Sequence, residues 1–230
     1  MTDLQITTND LLARIGLDET VKPRFRGWIH TAATPLALAA AIVLVSLAPT
    51  PGRRLASAVF LATSLLLFGV SSLYHRFYWG PRMFALLRRL DHANIFLLIA
   101  GTYTPLSVAL LPPAQARTLL LVVWIGAALG IAGRVFFPWA PRWSYTPLYI
   151  ALGWVALWYL PALLASGGWA IVTLTIVGGV AYTLGAVVYG FKRPDPSPKW
   201  FGFHEIFHAC TVIGWVCHCV AAFLAVLTVR

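Results

Sequence analysis

Seven runs of roughly 18–21 residues or more carry almost no charge, and each is long enough to cross a hydrocarbon core of about 30 Å. They cover residues 28–47, 55–74, 93–111, 119–137, 148–165, 169–189 and 203–229. The stretches between them, such as PTPGRR, RFYWGPRMFALLRR, LPPAQAR, PWAPRWS, ASGG and KRPDPSPKW, carry turn formers and charge. None is long enough to hold a separate soluble domain. The chain is 60% hydrophobic and only 10% charged, too few charges to cover a soluble core of 230 residues. The expected fold is all-α, a polytopic bundle of seven transmembrane helices. Trp28, Tyr74, Trp79, Trp139, Trp143 and Trp200 fall near span ends, as an interfacial aromatic belt would.

Residues 1–26 form a polar N-terminal segment of mixed charge, expected to be cytoplasmic, ahead of a membrane domain over 27–230. The segment lacks an apolar core of the kind a cleaved signal peptide needs. Asn9 and Asp10 can cap a short surface helix over residues 11–15.

The net charge of +10 does not point to nucleic acid, because the basic residues sort by loop rather than gathering in a patch. With the N-terminus cytoplasmic, thirteen of the seventeen Lys and Arg residues lie in inside segments. The other four are Arg53, Arg54, Arg117 and Arg230. This positive-inside bias places the N-terminus in the cytoplasm and the C-terminus outside, which requires an odd number of crossings. The expected location is a bacterial inner membrane, with membrane lipids as the partners.

Ionisable groups at membrane depth are costly and mark functional positions. The topology brings several to one level, roughly 0–10 Å inside the cytoplasmic boundary at about 1.5 Å per residue. His75 ends the second span, Asp91 and His92 start the third, and His204 and His208 lie in the first two turns of the seventh. His204 and His208 are four apart and share a helix face, a spacing that suits two ligands of one metal. His75 is the best third ligand by depth, and three imidazoles plus a water would make an open zinc site of the catalytic kind. Asp91 is suited to hold the water or orient a histidine, and Ser71 lies one turn above His75 on the same face. His30 reads as an interfacial residue following PRFRG. His92 points about 100° away from Asp91, toward the interface or a neighbour. His218, in the middle of the last span, reads as a packing residue. So do Cys210, Cys217 and Cys219. The G-x-x-x-G of Gly126 and Gly130 reads as a helix-packing surface.

The ordered set Ser71-x-x-x-His75, Asp91 and His204-x-x-x-His208 resembles the zinc site of a seven-span superfamily. That superfamily includes the adiponectin and progestin receptors and the alkaline ceramidases. Within it the chain is similar to the bacterial hemolysin III family. The motifs that carry the resemblance are KPRFRGWIH (22–30), SSLYHR (71–76), LDHANIFLLIAGTYTP (90–105), AYTLGAVVYGFKRPDP (181–196) and GFHEIFH (202–208). The resemblance implies a seven-helix bundle with zinc on His75, His204 and His208, Asp91 on the zinc-bound water, and Ser71 nearby. It does not require Glu205. The string His204-Glu205-Ile206-Phe207-His208 also spells the H-E-x-x-H of zinc proteases. A membrane protease of that kind would need a further acid on a later span, and no acid follows Glu205.

Three functions remain open at this point. One is a zinc-dependent hydrolase of a lipid amide or ester, with Asp91 as general base or water-orienting group; the ceramidase likeness favours an amide. Another is a non-enzymatic regulator or receptor of membrane state with structural zinc. The third is the pore-forming cytolysin of the family's name, for which the sequence supplies neither an export signal nor amphipathic segments.

Overall fold

A computed structural model describes residues 23–228. The short helix expected over 11–15, with its Asn9 and Asp10 cap, lies outside the described residues. Among the described residues seven α-helices follow one another: α1 Trp28–Leu47, α2 Pro51–Arg76, α3 Pro81–Leu110, α4 Pro113–Phe136, α5 Arg142–Gly153, α6 Leu160–Phe191 and α7 Phe203–Thr228. A 3-10 segment, Trp154–Tyr159, links α5 to α6. No strand occurs among the described residues; Ser197 and Phe201 form one isolated bridge in the loop before α7. The chain is an all-α polytopic membrane protein. Large apolar side chains such as Leu36, Leu55, Leu121, Leu129 and Leu184 cover its outside, a surface suited to lipid and not to water.

Proline begins α2, α3 and α4, where its missing N–H is one that no helix could satisfy. Thr50 caps α2 by accepting a hydrogen bond from the Arg53 N–H at 3.3 Å. α3 begins twelve residues before the apolar run at 93 that marked it in the sequence. Its first turns bury Phe84 and Leu87 and leave Arg82 and Arg89 exposed, a helical stripe too short to register as an apolar run. Phe84 packs on Tyr74 of α2, with ring centroids 5.4 Å apart. Asp91 therefore sits within α3, not at its start.

Residues 142–191 form a nearly continuous helical stretch, which would reach about 75 Å if straight. It folds back instead. Gly168 has φ 72° and ψ 178°, a conformation essentially confined to glycine. Opposite ends of the stretch then meet: the Arg142 guanidinium lies 4.3 Å over the Tyr189 ring, and the Trp154 indole donates to Thr183 at 2.9 Å. The first arm is not the single regular helix expected over 148–165. Pro161 offers no N–H to the Leu157 carbonyl, and the chain tightens into 3-10 turns before it. Tyr103 of α3 satisfies the groups this break releases. Its hydroxyl accepts from the Ala156 N–H at 2.9 Å and donates to the Gly153 carbonyl at 2.6 Å.

α3 is the most buried of the long helices and packs on α2, α4, α5, α6 and α7. Gly126 and Gly130 serve packing within the chain. A methyl on Gly126 would meet Leu152 of α5 at 2.7 Å, and one on Gly130 would meet the Phe96 ring of α3 at 2.4 Å.

Gly168 offers a clean test of the hairpin, since no atom lies within 4 Å of where its Cβ would be. Gly168→Ala adds backbone strain alone, about 1–3 kcal/mol, and should lower the melting temperature in detergent by about 3–8 °C. Gly52→Ala, equally uncrowded and in a regular helix, should leave it unchanged or raise it. Equal melting of the two variants would contradict the reversal at Gly168.

Candidate metal centre

The last turn of α2 and the first two turns of α7 bring three imidazoles together. His75 is 3% exposed, His204 9% and His208 2%. The i, i+4 spacing puts His204 and His208 on one face of α7, their ring centroids 4.6 Å apart. His75 faces them, with centroids at 4.7 Å from His204 and 5.1 Å from His208. The Nε2 atoms of His75 and His204 are 3.2 Å apart. One ligand atom from each of the three residues lies within 4.8 Å of the others. Two nitrogens each about 2.0–2.1 Å from a tetrahedral zinc would be about 3.3 Å apart. The donor set, its burial and its spacing therefore fit a divalent metal ion.

Asp91 approaches the same place from α3. Its Oδ2 is 3.7 Å from His75 Nε2 and 3.8 Å from His92 Nδ1. Ser71, one turn before His75 and 1% exposed, lines the same cavity as Asp91. Both residues expected beside the histidines are thus brought to them. His92 turns away: its Nδ1–H donates to the Arg88 carbonyl at 2.8 Å, and its Nε2 accepts from the Tyr189 hydroxyl at 3.0 Å. His218 is a packing residue, its Nδ1 bonded to the Gly214 carbonyl at 2.8 Å and its ring stacked on Tyr182.

His30 is not interfacial. It is 2% exposed and stacks face to face on His208, with centroids 3.8 Å apart and planes 6° from parallel. Neither of its ring nitrogens has a hydrogen-bond partner. Its neighbours PRFRG suggested a boundary, but the chain enters α1 inside the bundle. The one sequence clue was depth: a histidine at the start of the first span falls at the level expected for the other three.

Glu205 takes no part in the cluster. Its Oε1 is 2.5 Å from the Arg26 Nε, and its Oε2 accepts the Gly202 N–H at 2.8 Å. It is 1% exposed and fully engaged. The H-E-x-x-H string therefore lacks the general base that a zinc protease draws from it.

A cavity of about 130 Å³ opens beside the histidines. Its head is lined by His30, Ser71, Asp91 and His208. From there it follows α3 past Ile95, Leu98, Thr102 and Leu106 to Ser107, a span of about 24 Å at 1.5 Å per residue. α5, α6 and α7 close its other sides with largely apolar surface, aromatic as well as aliphatic.

A family model described as haemolysin-III related matches residues 19–219. The chain belongs to that family. Among curated proteins it is 33% identical over 146 residues to a hemolysin-3 homolog of Bacillus subtilis (strain 168), covering 63% of this chain and 68% of that one. It is 31% identical over 167 residues to hemolysin-3 of Bacillus cereus, covering 71% of this chain and 76% of that one. The family match takes in α1 to α6 and most of α7, including all five residues of the histidine, aspartate and serine set.

Metal analysis of protein purified in detergent should find about one divalent ion per chain. His75→Ala, His204→Ala and His208→Ala should each remove it, while Cys217→Ala retains it. Full metal retention by any of the three histidine variants would show that residue is not a ligand.

Proposed function

We propose that this haemolysin-III-related protein is a zinc-dependent hydrolase of a lipid amide or ester, resident in a bacterial inner membrane. We further infer seven crossings with the N-terminus cytoplasmic and the C-terminus outside. The hairpin at Gly168 supports the seventh crossing, and the excess of basic residues in the inside segments supports the orientation. One observation carries the hydrolase reading: of three convergent imidazoles, His208 lines the head of a long apolar cavity together with the Asp91 carboxylate. A cavity of that lining suits an acyl chain, with its polar linkage held at the histidines.

His75, His204 and His208 would hold the ion. A bound zinc ion supplies Lewis acidity, which polarises a carbonyl and acidifies a water. Asp91 acts as general base, taking a proton from the attacking water as its oxygen bonds to the carbonyl carbon. The same proton then goes to the departing amine or alcohol as the C–N or C–O bond breaks, leaving a fatty acid. Ser71, in the same cavity lining, would steady the Asp91 carboxylate with its hydroxyl. The apolar walls orient the chain and keep bulk water out. Substrate enters from the inner leaflet, the level at which these residues lie.

The same ligands with no turnover would describe a structural zinc in a regulator or receptor of membrane state. The relatives' names speak for lysis instead. A pore needs a polar lumen, and the cavity's largely apolar lining speaks against that reading.

The experiment is fatty-acid release from N-acyl amides and acyl esters presented in vesicles to the zinc-loaded protein. Asp91→Asn should keep the metal and cut kcat by about 100-fold or more. Ser71→Ala should cut it less. Zinc-loaded wild type that hydrolyses no amide or ester in such a panel would favour the structural-zinc reading. Ion flux through vesicles, lost in His75→Ala, would revive the pore.

A further inference from the structure

The helices that carry the metal ligands do not pack backbone to backbone; they meet directly in mid-bundle, where Trp215 of α7 reaches Ser64, Phe60 and Phe68 of α2. α1 lies against both α2 and α7, and so does α3. The gap that the three imidazoles share is therefore set by what stands between. At the cytoplasmic end that is the entry to α1, residues 23–31. Its backbone is tied to the loop before α7, with the Arg24 N–H on the Lys199 carbonyl at 3.0 Å and the Phe25 N–H on the Trp200 carbonyl at 3.2 Å. The Arg24 guanidinium also lies 4.3 Å over the Trp200 ring.

Arg26 and Glu205 join this entry segment to α7 itself. Glu205 is the residue after His204, and its second oxygen fixes the helix start through the Gly202 N–H. Arg26 is followed by Gly27, whose φ of 80° turns the chain into α1. Gly27 presses on α2 at the ligand: a Cβ there would lie 2.9 Å from the Cβ of His75. Two residues beyond Trp28, His30 stacks on His208. Thr31 then meets Ser72 of α2, with hydroxyl oxygens 2.7 Å apart. The α1 entry thus touches α7 and α2 in alternation, at or next to all three ligands.

We infer that the Arg26–Glu205 pair is a positioning device for the metal centre, holding the α1 entry as a spacer that sets His75 against His204 and His208. Glu205 is a positioning residue rather than a base. The charge is buried because its task lies inside the bundle. With either partner removed, the other is left as an uncompensated charge at membrane depth, and the entry segment must shift to hydrate it. That shift moves Gly27 off His75 and the His30 ring off His208. The inference rests on the metal site proposed above.

The test measures zinc affinity by competition with a chromophoric chelator, using the full-length protein in detergent. The melting temperature of the metal-free forms is recorded alongside. Arg26→Gln and Glu205→Gln should each weaken zinc binding by about tenfold or more, the range for lost supports of metal ligands. Arg26→Gln/Glu205→Gln should be no weaker than the worse single variant, because the pair acts as a unit. A pair that only stabilised the fold would lower the melting temperature and leave zinc affinity at the wild-type value. That result overturns the inference, and so does strict additivity in the double variant. If a glutamine variant does not accumulate, Arg26→Lys is read the same way. It keeps the charge and moves the donor, so it should weaken zinc binding by less; wild-type affinity there also overturns the inference. A wild type that binds no zinc overturns the metal site first and the inference with it. Zinc-binding wild type with indifferent variants overturns the inference alone.

Discussion

Two imidazole nitrogens 3.2 Å apart, from His75 and His204, stand at the end of a membrane bundle with a third histidine beside them. As neutral rings they satisfy one another through a single N–H···N hydrogen bond, in one tautomer or the other. A shared cation would take up both nitrogens and the third ring's as well, and much of the surrounding architecture supports their convergence. α2 and α7 deliver the rings, α3 delivers Asp91, and α1 keeps the two ligand helices apart at this end. The polar groups of the site are thereby kept at one level instead of scattered through the hydrocarbon.

The rest of the bundle is built around α3. It carries the site carboxylate at Asp91 and lines the cavity below it. It also supplies Tyr103, which lets the α5–α6 arm break regular helix geometry without leaving backbone groups unpaired. The break and the reversal at Gly168 bring Tyr189 and Arg142 together near His92, behind the metal cluster. His92 is thus engaged by an outer layer of tyrosines and arginine. This separates two adjacent residues of α3 into different roles, with Asp91 turned to the histidines and His92 turned to the wall.

Much of this was legible in the sequence. Apolar run length located the spans, because lipid demands about 20 apolar residues per crossing whatever they pack against. The i, i+4 spacing of His204 and His208 and the shared depth of His75, Asp91 and Ser71 point to one candidate site, and the fold brings these side chains together. The misses have physical causes. The start of α3 was missed because a half-exposed amphipathic turn with three arginines does not look apolar, although Phe84 and Leu87 fall at helical spacing. The 3-10 segment follows from Pro161, but only a tertiary partner such as Tyr103 makes it tolerable. His30 was missed because flanking charges suggest an interface, and no local pattern reveals that a ring will stack on one 178 residues away. The partner of Glu205 was out of reach for the same reason, since Arg26 lies across the chain. What a sequence shows well is depth and face; what it conceals is which buried neighbours share them.

The most direct test of the shared centre is X-ray absorption at the zinc edge of the purified protein. Three imidazole nitrogens from α2 and α7 with an open fourth position predict a first shell of about four nitrogen and oxygen atoms near 2.0–2.1 Å, with the outer scattering of three histidine rings and no sulfur. A sulfur shell near 2.3 Å would place the metal on Cys210, Cys217 or Cys219 instead. Such a spectrum, or one with fewer than three histidine rings, would contradict a centre built from His75, His204 and His208.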